Sequence, residues 1–188
     1  MKIQDETKLI EKIYEGKFKE FDINLLNKEV RMFFKNINFN PKINLKVIEM
    51  PKLILEKGFD GYMLRGKEKN FYIFLKKSLS REERLQTFWH EVGHVLFKVF
   101  VSKKLKKEIL RDIQPLKSLQ QFEKEMKEYQ EFYSFDKIGE EFVCELFADS
   151  TEKKGYVPLN IKNCVIPLKN IVIAYNILIE EFSLLSSD

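Results

Sequence analysis

Residues 87 to 97 read TFWHEVGHVLF, which places His90, Glu91 and His94 within five positions and uses both histidines of the chain. On a helix, positions i and i+4 share a face one turn apart, so His90 and His94 can aim their imidazoles at one ion. Glu91 stands about 100° round the helix from His90, placed to reach a water on that ion rather than to act as a further ligand of the same kind. Zinc lowers the pKa of such a water to about 7, and a carboxylate beside it can take its proton as the oxygen attacks a peptide carbonyl. The same carboxylate can then protonate the leaving amine. Gly93 removes bulk between the histidines and would let a neighbouring strand or a substrate approach.

A catalytic zinc held by two histidines needs a third protein ligand and an open fourth position. No third histidine exists, and Phe100 and Val101 occupy the region where the longer H-E-x-x-H-x-x-G-x-x-H pattern carries one. The third ligand should therefore be a carboxylate on another element. EEFVCELFADS, residues 140 to 150, offers Glu140, Glu141, Glu145 and Asp149 beside an apolar helix face. Two registers set a carboxylate four residues before another, Glu141 with Glu145 and Glu145 with Asp149. In either one the first acid would bind the ion and the second would accept the free N–H of a ligating histidine. Spacing leaves both open.

The elements that must position these groups can be read from periodicity. Residues 5–15 and 22–36 read as amphipathic helices, with Asp22 as N-cap of the second, and NINFNP at 36–41 ends them. Strand candidates at 43–50, 59–65 and 70–77 follow, separated by turn residues, and imply a small antiparallel meander. Ser80 and Glu83 form a capping box that opens a helix to about residue 101. Pro115 interrupts the next stretch, and a second capping box at 118–121 predicts a charged, peripheral helix over 118–133. Helices are also expected over 137–153, ending near Gly155, and over 168–185. The expected fold is α+β: a helix-rich single domain with a small antiparallel β-meander packed against a zincin-type active-site helix. Residues 1–42 supply N-terminal helices, 43–150 the catalytic core, and 151–188 a C-terminal segment and helix.

Composition narrows the function classes. The 33 Lys and Arg against 29 Asp and Glu give a net charge of +4, with both signs mixed along the chain, so nucleic-acid binding is not expected. KKLKK at 103–107 reads as a solvated face or helix end. The N-terminal stretch MKIQDETKLIEK lacks the apolar region of a secretory signal, and Lys169 interrupts the apolar stretch at 165–179. Two cysteines, Cys144 and Cys164, fit a reducing compartment. A cytoplasmic protein without a membrane segment is expected.

These features together resemble the ImmA/IrrE-type metallopeptidases, whose pattern is a short β-meander, a T-x-x-H-E-x-G-H helix and a helix reading E-x-x-A-[ND]-x-F-A. The counterparts here are residues 43–77, TFWHEVGH at 87–94 and EFVCELFA at 141–148. The resemblance implies His90 and His94 as ligands and Glu91 as catalytic base. Setting Phe147 and Ala148 on the family's F-A makes Glu141 the third ligand, puts Cys144 at the small-residue position, and leaves Glu145 as the fallback where Asn or Asp is usual. It further implies a zinc-dependent endopeptidase of narrow specificity, with Mn2+ as an alternative metal. The partner would be a separate protein substrate, such as a helix-turn-helix repressor of a mobile element or stress response. The substrate strand would add to the meander edge at NFYIFLKK, residues 70–77.

Four departures accompany the match. Trp89 replaces a small residue, the nearest upstream arginine is Arg84, no Leu-Leu-Met-Pro follows F-A, and Glu141 lies 47 positions (141 − 94) after His94, which marks 118–133 as an insertion. Tyr129, Tyr133 and Tyr156 read as packing or surface residues rather than oxyanion donors. Two rivals are a non-proteolytic regulator that keeps the zinc fold and a toxin or effector peptidase. Glu91 argues against the first, because a structural zinc site needs no base and closes all four positions.

Overall fold

The computed structural model describes residues 3–55, 58–114, 135–152 and 169–186. Its contacts group into two compact units, Met1–Val92 with Leu185–Asp188, and Gly93–Leu184.

In the first unit, helix α1 (Ile3–Tyr14) is followed by one 3-10 turn (Ile23–Leu25), helix α2 (Lys28–Ile37) and a sheet of three strands. Asp22 caps the 3-10 turn, accepting from the Asn24 backbone N–H, while α2 has its own cap, Asn27, which accepts from the Val30 N–H at 2.8 Å. The expected helix over 22–36 is thus split. Two Asx-type caps five residues apart each satisfy their own orphan N–H groups, and a continuous helix would use neither. Val30, Phe33 and Ile37 then form the buried face of α2.

Strands β1 (Asn44–Glu49), β2 (Gly61–Arg65) and β3 (Asn70–Leu75) lie in the order β1-β3-β2. β2 and β3 form the expected antiparallel hairpin, but β1 runs parallel to β3, pairing Val47 with Ile73. The sheet is therefore mixed, not an antiparallel meander. After β1 the chain passes through the short helix α3 (Lys52–Leu55), with Ile54 buried, and enters the far edge at β2, leaving the centre to β3. The reason lies in β3 itself. Phe71 to Leu75 are all buried, a continuous apolar run that needs cover on both faces and a neighbour on both sides. One sheet face, with Ile48, Leu64, Tyr72 and Phe74, joins Leu9 and Ile54 in a core cluster against which Ile10 and Ile13 of α1 pack.

Helix α4 (Arg81–Phe100) opens at the anticipated capping box: the Ser80 N–H donates to Glu83 Oε2 at 2.8 Å, and the Glu83 N–H donates to Ser80 Oγ at 3.3 Å. The boundary between the two units falls inside this continuous helix. In the second unit, Ser102 caps helix α5 (Lys103–Ile113), so KKLKK is the first turn of a helix whose buried face is Leu105, Ile109 and Ile113. Helix α6 (Phe135–Glu152) packs on α5 at Gly139, where a Cβ would fall 2.5 Å from Ile109 Cγ2. Asp112 caps helix α7 (Lys169–Ser186) from outside, accepting from the Asn170 backbone N–H at 2.8 Å and its side-chain amide at 3.0 Å. The expected helix at 118–133, its capping box, Tyr129, Tyr133, Gly155, Tyr156 and Cys164 lie outside the described residues.

Candidate metal centre

Helix α4 buries Phe88, Trp89, Val92, Val95, Leu96 and Phe97 together with two ionisable groups, Glu91 and His94. His90 is half-buried. Trp89 belongs to the core of the first unit, with its ring 5.2 Å from Phe33 of α2 and 5.1 Å from Phe88, both edge-on. That packing fixes the rotation of α4 about its own axis, and so the direction in which the HEVGH turn faces.

The start of β2 packs against the buried Glu91. A Cβ on Gly61 would lie 2.7 Å from Glu91 Oε1 and 2.4 Å from Thr87 Cγ2, so only a glycine lets the strand come this close. On the second unit's side, Gly93 admits helix α6, not a strand or a substrate: its Cβ would meet Cys144 Cα at 3.1 Å and Cys144 Cβ at 3.2 Å. Gly93 thus serves the packing of α6, contrary to the expected approach of a strand or a substrate.

This approach brings Glu141 of α6, which is buried, to His94, with Glu141 Oε2 3.2 Å from His94 Nε2. His90, His94 and Glu141 form one group whose ligand atoms all lie within 4.8 Å of one another. Two nitrogens and a carboxylate oxygen suit a zinc ion, and an apolar surround makes the pairing of these groups with a cation favourable. The group could hold a metal ion. Glu145 and Asp149 are half-buried on the same helix and are not members of it.

The acceptor for the free N–H of a ligating histidine is expected four residues beyond the third acid. The structure supplies it one residue before. His94 Nδ1 lies 2.8 Å from Glu140 Oε1, and the Lys98 ammonium donates to Glu140 Oε2 at 2.6 Å. Lys98 had a readable signal, since it follows His94 by four residues on the same helix. Cys144 Sγ stands 3.4 Å from the same Nδ1. Burial pushes the Cys144 thiol up to about 12 against the pull of His94, so at neutral pH it is a thiol. Burial also opposes charge on His94, but the interactions with Cys144, Glu140 and Glu141 outweigh it and hold the ring well above its usual range. Burial likewise opposes charge on Glu140, yet His94 and then Lys98 keep its carboxyl below the usual carboxylate range.

Among the described residues, no helix is long and apolar enough to cross a membrane. Compared with family models, curated proteins and solved structures, the chain finds no match.

Proposed function

We propose that the chain is a zinc-dependent endopeptidase of the ImmA/IrrE kind, acting with narrow specificity on a regulatory protein such as a helix-turn-helix repressor. The observation that carries this reading is the grouping of His90, His94 and Glu141, with the buried Glu91 on the intervening turn of α4. A structural zinc site would close with a fourth side chain and would have no use for a buried carboxylate next to a ligand.

In this reading His90, His94 and Glu141 hold the ion, which when bound supplies Lewis acidity toward a carbonyl and toward water. Glu91 takes the proton of the attacking water and delivers it to the amine as the peptide bond breaks. The close approach of Gly61 limits where the Glu91 carboxylate can swing.

The peptide's place is the edge of β2, not residues 70–77, because β3 is the central strand. The outer edge of β1 is already engaged: the Phe21 N–H donates to the Val47 carbonyl at 3.0 Å and the Glu49 N–H to the Lys19 carbonyl at 2.9 Å. β2 pairs on one side with β3, no described strand lies on its other side, and it begins at Gly61 beside Glu91. An extended segment adding there gains backbone hydrogen bonds along a strand that ends next to the base.

The test compares wild type with Glu91→Gln for zinc content and for cleavage of candidate repressors. The expected outcome is unchanged zinc with cleavage slower by about 10²–10⁴-fold, the usual contribution of a general base. Equal cleavage by the two proteins would sink the proposal.

A further inference from the structure

We infer that Glu140 is the positioning residue for His94, and that Lys98 holds Glu140 in the position this requires. The inference rests on the zinc reading above, but it concerns the chain's own hydrogen bonds.

His94 is buried and both its ring nitrogens are engaged, Nδ1 at 2.8 Å from Glu140 Oε1 and Nε2 at 3.2 Å from Glu141 Oε2. A carboxylate has only acceptor positions, so the short contact to Glu140 puts a hydrogen on Nδ1. Glu141 Oε2 asks the same of Nε2, but that contact is the longer one, 3.2 Å against 2.8 Å, so the neutral ring keeps its hydrogen on Nδ1 and its lone pair on Nε2, toward the grouped ligand atoms. The opposite tautomer would set the Nδ1 lone pair against the Glu140 oxygens and present an N–H where a ligand is needed. Cys144 Sγ, at 3.4 Å from Nδ1, is a weak acceptor and does not replace the carboxylate.

The second half of the device is Lys98. It lies four residues after His94, so α4 presents a ring N–H and an ammonium on successive turns of one face. Glu140 answers both, one oxygen to each, at 2.8 Å and 2.6 Å. A carboxylate fixed at both oxygens cannot swing, and this sets the plane of the imidazole as well as its tautomer. With a side chain 12% exposed, Glu140 would be a costly charge without Lys98 beside it. Carboxylates behind ligating histidines typically contribute 10- to 100-fold to metal affinity.

A plain tie between α4 and α6 would use the same contacts, so the test needs a readout that such a tie would not move. Zinc affinity is measured by competition with a chelator for wild type, Glu140→Gln and Lys98→Met, using the full chain. Ring-nitrogen NMR of the metal-free proteins is recorded at alkaline pH, where the imidazoles are neutral; with two histidines in the chain, two ring systems appear. The expected results are the Nδ1–H tautomer for His94 in wild type, and zinc affinity lower by about 10- to 100-fold in Glu140→Gln with the tautomer shifted or mixed. Lys98→Met should keep the tautomer and lose affinity by a smaller factor. A wild-type His94 in the Nε2–H form overturns the inference even if Glu140→Gln does not fold. So does a folded Glu140→Gln that binds zinc as tightly as wild type with an unchanged ring spectrum. A wild type that takes up no zinc defeats the peptidase reading instead, and the wild-type tautomer still decides the role of Glu140.

Discussion

Gly61 places no side chain between β2 and α4, and a methyl group there would lie 2.4 Å from Thr87 Cγ2 and 2.7 Å from Glu91 Oε1. Neither distance is one that real side chains tolerate, so Gly61→Ala must displace the Glu91 carboxylate, the strand, or both. Glu91 is the flexible partner and should move first. Overpacking of this kind costs about 1–3 kcal/mol, and a base moved by an ångström can lower turnover about 100-fold. Gly61→Ala is therefore expected to melt at a lower temperature and, on the peptidase reading, to bind zinc as wild type does while cleaving far more slowly. Zinc stoichiometry, a thermal melt and a cleavage assay on one preparation check all three, and unchanged turnover would mean that the strand does not set the base. At this scale the grouping of His90 with His94 was legible in the sequence, because helical spacing alone puts two imidazoles on one face. Gly61 was not, since nothing local marks which glycine of a turn will meet a helix far along the chain. Glu140 and Glu141 were hard to tell apart in role for a related reason. Adjacent acids sit about 100° apart on a helix, and their roles depend on how α6 is rotated against α4, which Gly93 and Cys144 decide by contact.

Helix α4 depends on its first turn as well as on its buried face. The Glu83 carboxyl accepts from the Ser80 hydroxyl and backbone N–H, and these hold it below the usual carboxylate range, with a smaller contribution from Lys76. A depressed carboxylate contributes stability that is present above its unfolded value of 4.5 and is lost as pH falls through the lower folded value. Glu83→Gln is thus expected to lower the melting temperature slightly at neutral pH, to match wild type at low pH, and so to flatten the acid limb below the unfolded value of 4.5, as read by melts across that range. An acid limb identical to wild type would mean that the charged form of the box contributes nothing. Further along the helix, Gly93→Ala pits a gain in helix propensity of about 1 kcal/mol against the close approach of α6. The new Cβ would be 3.1 Å from a backbone atom of Cys144 and 3.3 Å from Phe147 Cδ1, and a helix backbone cannot give without carrying Glu140 and Glu141 with it. The close approach should win. The variant is expected to lose about 1 kcal/mol of stability and to bind zinc more weakly, measured by chemical denaturation and chelator competition. The elements themselves were largely readable: the capping box and the apolar periodicity place α4 within a residue of its observed end, and the turn residues mark the β2–β3 hairpin. The partner of β1 was not readable from any turn, because it is set by a contact with a strand that follows much later. Its trace in the sequence is the unbroken apolar run of β3, which belongs to a central strand rather than to an alternating edge.

For the whole molecule, the ionic character of the interior gives the most direct measurement. Among the described residues the buried polar or charged ones are Glu91, His94, Glu141 and Ser150, and Ser150 is accounted for by the Leu146 carbonyl and the Tyr175 hydroxyl, each at 2.8 Å. The other three belong to the candidate centre or to the turn that carries it. Burying two carboxylates and an imidazole together disfavours the folded chain unless positive charge offsets them. A zinc ion bound by the native state and not by the unfolded one adds stability by mass action, about 2.7 kcal/mol at a free concentration 100 times its dissociation constant. In a chain of 188 residues that corresponds to a rise in Tm of about 5–10 °C, reversed by a chelator. The shift must be separated from loose binding by surface carboxylates, of which a chain with 29 Asp and Glu has many. Substitution does this. Glu141→Ala and His94→Ala should abolish the zinc-dependent rise, while Glu145→Ala, on the same helix but outside the grouped ligands, should retain it. If Glu145→Ala loses the rise and Glu141→Ala keeps it, the third ligand is Glu145 and α6 presents its next turn to the histidines. If all three variants respond to zinc as wild type does, the ion binds elsewhere and the peptidase reading loses the grouping on which it stands.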